Sequence, residues 1–255
     1  MLVLANDIVI LKLGGSVITT KSKPQTLNIQ AIKNIAQVIS NFDKPLIVVH
    51  GAGSFGHYFA KRFKISNQQT TSTRAIIQIH KSMITLNNSI IEIFNKYKIN
   101  TLAFSPISIY YKKNILLHWE HLIKKMLNMD IIPITYGDII PGSKGFYIIS
   151  GDIIVKDLTN MLKPRNVVFA SDIDGLYSDI NDKSTLIEEV KINKRYSMNF
   201  KTQNFDVTGG IQTKLKQASE IAQLGTSVQI TNGLKPGMLM KALNGEHIGT
   251  LITGN

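Results

Sequence analysis

The chain has 255 residues, 44% of them hydrophobic, enough to bury a sizeable core in one large domain or two small lobes. It contains no cysteine, which excludes disulfides, Cys–zinc sites and cysteine nucleophiles. Its 29 basic and 17 acidic residues give a formal charge of +12, which favours anionic partners such as nucleic acid or a phosphorylated small molecule.

Met1 to Asn6 (MLVLAN) lacks the basic start and long apolar stretch of a secretion signal, and no run reaches the ~18 apolar residues of a membrane span. The expectation is therefore a soluble cytoplasmic protein with no membrane partner. Ile8 to Leu13 is a short apolar run that ends at Gly14-Gly15-Ser16, the pattern of a buried strand feeding a glycine turn. A helix is predicted from Ile29 to Ile39, then a second buried strand at Leu46–Val49 that ends at His50-Gly51-Ala52-Gly53. Ser72 to Lys98 carries apolar residues at helical spacing and predicts one long helix. Strands follow at Thr101–Phe104, Ile131–Ile134 and Val167–Ala170, with helices at Trp119–Leu127 and Ile153–Leu162 between them. Pro141 to Tyr147 reads as a hairpin, and polar Asn181–Asn204 as a flexible excursion. Lys214–Leu224 and Ser227–Thr231 form a last helix–strand unit.

Strands alternating with 10–15-residue helices imply a mainly parallel sheet covered on both faces. A soft boundary at Lys163-Pro164-Arg165 would separate residues 1–163 from 164–255 within one domain.

Two glycine loops, at Gly14-Gly15-Ser16 and Gly51-Ala52-Gly53-Ser54, sit just past predicted strand ends, where open α/β sheets bind ligands. Small residues let backbone N–H groups approach phosphate oxygens, and a following helix start adds positive potential. Thr208-Gly209-Gly210 is a third such turn. No Walker A pattern occurs. GAGSFG (51–56) spells a dinucleotide fingerprint by letter but lacks its acidic residue about 20 positions on. His118 and His121 have no third ligand, which argues against zinc. The basic residues are spread along the chain without interleaved aromatics, which argues against nucleic acid.

Several blocks together carry a family resemblance: KLGGSVIT (12–19) with Lys21, HGAGSFGH (50–57), Tyr136-Gly137-Asp138, Ser150-Gly151-Asp152, ASDIDGLY (170–177), DVTGGI (206–211) with Lys214, Asn232-Gly233 and Gly249-Thr250. In this order they resemble isopentenyl phosphate kinases, within the amino acid kinase superfamily. The histidine that ends GSFGH is the narrower mark, shared with fosfomycin kinases, so a sister kinase with another small anionic acceptor is the alternative. A non-catalytic nucleic-acid-binding or regulatory module of the same fold is the third reading.

The resemblance implies a three-layer α/β/α sandwich, with an acceptor lobe (1–163) and an ATP lobe (164–255). It also implies a homodimer and transfer of the ATP γ-phosphoryl group to isopentenyl phosphate. Mg²⁺ is expected on the phosphates, with no carboxylate cage visible and hence no protein metal ligand assigned. Lys12, at the end of the first strand, is assigned to ATP and the transferred group, together with Gly14, Gly15 and Ser16. Lys21 matches the lysine proposed to stabilise the transition state, although Thr20 stands where many members carry an acidic residue. His57 is assigned to the acceptor phosphate, at a predicted helix start, with His50 read as structural. Ala52, Gly53 and Gly151 match backbone positions that touch substrate or nucleotide. Asp172 and Asp174 either hold the nucleotide or order its loop, and Gly210 and Lys214 embrace the ATP phosphates. The apolar residues Ile76, Ile77, Ile79, Met83, Ile84 and Leu86 suit an isoprenoid tail or, equally, ordinary core packing.

Overall fold

A computed structural model of the chain describes residues 7–65, 69–111, 114–115, 119–179, 181–192 and 209–254. The order begins with β1 (Val9–Leu13), α1 (Gly15–Ile18), α2 (Ile29–Ser40), β2 (Leu46–His50), α3 (Gly53–Arg62) and α4 (Thr73–Lys96). It continues through β3 (Thr101–Ala103), α5 (Pro106–Ile109), β4 (Tyr110–Tyr111), β5 (Asn114–Ile115), α6 (Trp119–Asn128), β6 (Ile132–Tyr136), β7 (Asp138–Pro141), β8 (Phe146–Ile149) and α7 (Gly151–Leu162). After these come β9 (Asn166–Ser171), β10 (Leu176–Tyr177), β11 (Leu186–Ile187), β12 (Glu189–Ile192), α8 (Gly209–Ala222), β13 (Ser227–Asn232), α9 (Pro236–Asn244) and β14 (Thr250–Gly254).

Among the described residues, eight strands form one sheet in the order β12-β14-β13-β9-β1-β2-β6-β3, parallel throughout except where β14 runs antiparallel to β13. Both faces of the central strands are apolar, and the pleat sorts them. Ile8 and Ile10 point into a core shared with α6, α7 and α8, while Val9, Leu11 and Leu13 point into another shared with α2, α4 and α9. A strand wet on one face would alternate apolar and polar residues; this one cannot, so helices must cover both sides. The result is the expected three-layer sandwich. Side-chain caps start the helices locally: Asn28, Ser72 and Ser150 accept from Ala31, Ala75 and Ile153 N–H.

The parallel register brings the carboxyl ends of β1, β2 and β9 together at the middle of the sheet. The ladder then runs on into the loops, since Gly14 N–H donates to Ala170 O, Gly51 N–H to Leu13 O and Gly137 N–H to His50 O. Chain direction reverses its march across the sheet at β1, which leaves a crevice above these ends.

The predicted hairpin at 141–147 is present as antiparallel β7–β8. The excursion predicted for 181–204 is corrected in part: residues 186–187 pair with β10, and Glu189–Ile192 forms the sheet's edge strand against β14. Residues 193–204 of that excursion, together with His118, Asp206 and Thr208, lie outside the described residues.

Gly15 and Gly53 are two positions at which the fold tolerates no side chain. A Cβ on Gly15 would strike the backbone N and Cα of Gly53. Gly53 itself has φ +49°, a conformation that favours glycine. Gly15→Ala is expected to cost about 1–3 kcal/mol through overpacking against backbone that cannot rotate away. Urea denaturation of the purified variant measures that loss, and an unchanged midpoint would show that the two loops can separate freely.

Candidate active site

Above the carboxyl ends lies a cavity of about 820 Å³, lined by residues of β1, α1, α3, α4, the β7–β8 hairpin, α7, the loop after β9 and α8. Its floor is the Gly15–Gly53 contact. Thr19 clamps the two loops, donating to Gly15 O (2.7 Å) and accepting from Ser54 N–H (2.9 Å).

The cationic end is built by three lysines. Lys12 lies within β1 on the same face as Ile10 and is 5% exposed, its ammonium 5.7 Å from the Phe169 ring centre. Asp152 Oδ1, in the first turn of α7, approaches Lys12 Nζ at 2.8 Å, an ion contact off the line of a hydrogen bond. Lys21 reaches across from an exposed loop and donates to Asp172 Oδ2 at 2.8 Å, while Ser16 Oγ–H donates to Oδ1 at 2.8 Å. Burial works against the Asp172 charge, but these two donors, the lysine foremost, bring its pKa down to about 2. Lys214 donates to Ser171 Oγ at 2.6 Å. Burial, and then the nearby Lys12 charge, lower the Lys214 pKa to about 8.

Three ammonium groups thus share a small volume with two carboxylates, a surplus of positive charge suited to phosphate. Backbone at Gly15, Ala52, Gly53 and Gly151 lines the same volume.

His57 lies on α3 beside this end, and partial desolvation by the cleft walls, followed by the Lys12 charge, lowers its pKa. At neutral pH its ring is therefore neutral, with one N–H to donate. His50 is fully buried and stacked on Tyr136 at 5.2 Å, with burial lowering its pKa to about 4. Its Nδ1 lies 3.0 Å from Gly51 O and its Nε2 3.2 Å from the Asn87 amide. A neutral ring donates once, so either Nδ1–H donates to Gly51 O or Nε2–H donates to Asn87 Oδ1, but not both.

Away from the lysines the cavity becomes apolar, walled by Ala60 of α3, Ile79 and Met83 of α4, and Ile148 and Ile149 of β8. Asp138 also borders it, its buried carboxylate 2.7 Å from His80 Nδ1.

Residues 7–232 match the amino acid kinase family. The isopentenyl phosphate kinase of Methanocaldococcus jannaschii is 33% identical, over 95% of this chain and 97% of its own. That of Thermoplasma acidophilum is 31% identical, over 95% and 99%. The chain belongs to the amino acid kinase family. A crystal structure of the T. acidophilum isopentenyl phosphate kinase product complex superposes with a TM-score of 0.80 at 27% identity, covering 96% of this chain and 99% of that one.

Within this amino acid kinase fold, the predicted residues Lys12, Lys21, Asp172 and Lys214 meet at the cationic end, with Gly15, Ser16, Ala52, Gly53 and Gly151 around them. His57 lines the cleft too, but as the fifth residue of α3 rather than its first, because α3 already begins at Gly53. Gly14 packs away from the cavity, against Ala170 O, and Gly210 belongs to the first turn of α8. Asp174 turns aside to Asn232 and Lys235 and so orders the loop after β9. Of the apolar stripe on α4, Ile79 and Met83 line the cavity, Leu86 is core, and Ile77 and Ile84 are exposed. Asp152, Thr19, Ser171 and the His80–Asp138 pair had no assigned role from sequence; the Ser-Gly-Asp and Tyr-Gly-Asp blocks were the available signals.

The lowered Lys214 pKa carries a pH signature. Its ammonium is charged below about 8 and neutral above, while phosphate binding favours the charged form. ATP affinity should therefore fall as pH rises through about 8, approaching ten-fold per pH unit for a single required proton. Stability of the unliganded protein should move the other way, since the unfolded lysine holds its proton to higher pH. Titration of ATP binding from below to above this value, at constant ionic strength, checks it. Lys214→Arg should flatten the limb, and a limb that survives in that variant assigns it elsewhere.

Proposed function

We propose that the protein transfers the γ-phosphoryl group of MgATP to isopentenyl phosphate, giving isopentenyl diphosphate and ADP. One observation carries the reading: a single cavity joins a floor of glycine backbone and three lysines to an apolar chamber, with His57 beside the cationic end. An acceptor that is anionic at one end and hydrocarbon at the other matches both parts. The full-length similarity to isopentenyl phosphate kinases supports it.

In this reading an oxygen of the acceptor phosphate attacks the γ-phosphorus, and the bond to the β–γ bridging oxygen breaks. The acceptor is already ionised, so alignment and charge neutralisation account for the catalysis. Lys12 and Lys214 hold the ATP phosphates from below. Lys21, 71% exposed at its side chain, exchanges Asp172 for the equatorial oxygens of the phosphoryl group in flight. Neutral His57 donates its N–H to the acceptor phosphate, which orients it without adding a charge. Backbone at Ala52, Gly53 and Gly151 surrounds the acceptor, and Gly15, Ser16 and the first turn of α8 with Gly210 face the nucleotide. Residues 1–163 then form the acceptor lobe and 164–255 the ATP lobe.

Among the described residues no three His, Asp or Glu side chains gather to hold a metal ion, so Mg²⁺ is taken to arrive on the ATP phosphates. Among the same residues no helix is long and apolar enough to cross a membrane. A cytoplasmic homodimer completes the proposal, on the strength of the family resemblance.

The test is ATP consumption by the purified protein with isopentenyl phosphate and Mg²⁺. Lys21→Ala should lower kcat by on the order of 10²–10³ with KM for either substrate little changed, because its contact forms only in the transition state. His57→Ala should raise KM for isopentenyl phosphate and leave that for ATP near wild type. A well-folded protein that binds ATP but does not turn over isopentenyl phosphate would sink the assignment.

A further inference from the structure

The apolar end of the cavity touches the main cores through Met83 and Ile149, but its Ile79 and Ile148 walls rest on a smaller cluster. Phe59 of α3, Ile79 of α4 and Ile139 of β7 form a small cluster of their own, with Phe63, Ile65, Ile76, Phe146 and Ile148 packed around it. So few buried side chains fill space but set no direction, because dispersion and hydrophobic contacts are non-directional. Directional ties come from polar groups. Ser82 Oγ–H donates to Phe55 O and joins α4 to α3. His80 Nδ1 lies 2.7 Å from Asp138 Oδ2 and joins α4 to β7.

This second tie is unusual in its cost. The Asp138 side chain is 0% exposed and that of His80 27%. Burial pushes the Asp138 carboxyl up and the His80 bond draws it back, while the same bond raises His80. Asp138 Oδ1 accepts from Ile139 N–H, so both carboxylate oxygens are engaged. The pair also sits at a junction. Ile79 precedes His80 and Met83 lies one turn on, both facing the cavity. Asp138 pairs across the hairpin with Ile149, from which the chain runs through Ser150 and Gly151 to Asp152, the partner of Lys12.

We propose that His80 and Asp138 are a positioning pair. They fix the α4 wall of the apolar chamber against the β7–β8 wall, and so set how an acceptor's hydrocarbon tail is seated relative to Lys12. The inference rests on the reading of the cavity as an isopentenyl phosphate site. Removing the tie leaves catalytic groups in place but lets the tail-binding walls separate.

The test compares wild type, His80→Ala, His80→Gln and the double variant His80→Ala with Asp138→Asn. Acceptor kinetics use isopentenyl phosphate and a prenyl phosphate of twice its carbon number. His80→Ala should raise KM for isopentenyl phosphate about ten-fold with KM for ATP within about two-fold, and should shift preference toward the longer acceptor. His80→Gln, whose amide N–H can still donate to Asp138, should recover most of the loss. If the buried carboxylate left alone prevents His80→Ala from folding, the double variant carries the same expectation, since an amide at 138 can still accept from Ile139 N–H.

Amide hydrogen exchange gives a readout that needs no turnover: residues 76–83 and 146–149 should exchange faster in the alanine variants and not in His80→Gln. KM values for ATP and acceptor that move together, a glutamine variant no better than alanine, or unchanged exchange in both segments would each overturn the proposal. Absence of wild-type turnover with isopentenyl phosphate would instead remove the functional reading, and exchange would still decide whether the pair ties the walls.

Discussion

Lys12, only 5% exposed, stands on a strand face otherwise made of Ile8, Ile10 and the neighbouring Phe169 ring, and the chain answers its charge with a close carboxylate, Asp152. A buried charge of this kind is costly unless an opposite charge and further polar partners surround it. Much of the cleft reads as a response. The Ser150 cap starts α7 at a point that leaves Asp152, in its first turn, within reach of Lys12 on β1. Lys214 and His57 both lose basicity partly to the Lys12 field. What remains is an incompletely neutralised positive site at the carboxyl ends of β1, β2 and β9, for which phosphate oxygens are the natural complement.

The cavity changes character along its length, and this gradient comes directly from the elements that form it. Strand ends and glycine turns supply the polar end, because backbone N–H groups and strand-borne lysines converge there. Helix flanks and a hairpin supply the apolar end, because α4 and β8 turn apolar side chains inward at Ile79, Met83 and Ile148. His57 and Asp138 stand where the two regimes adjoin. One ring is neutral and open to the cleft, and the other group is a carboxylate sealed behind His80.

How much of this was legible in sequence depends on the range of the interaction. The strands β1, β2 and β9 were readable because each is an apolar run too short for a helix and is followed by turn residues, which also marks the glycine loops. The start of α3 was misplaced because Ala52 offers no capping side chain to mark it, so His57 appeared nearer the helix start than it is. β12 was hidden in a Lys- and Asn-rich stretch, although Val190 and Ile192 do alternate with Glu189 and Lys191. Asp152 and Asp138 gain their meaning only from Lys12 and His80, which the fold brings to them from distant parts of the chain. No local pattern encodes such a partner.

The abutment of Gly15 on Gly53 restricts how the protein can change over evolutionary time. At most crowded positions a larger residue can be accommodated by trimming the side chain it meets. Here the opposing atoms are main-chain N and Cα, so no partner substitution can make room. Relief would require β1 to slide against β2, and with it every in-register pair from Val9–Leu46 to Leu13–His50. Room for change therefore lies in cavity side chains such as those of α4 and β8, whose neighbours can give way, and not where the two loops meet.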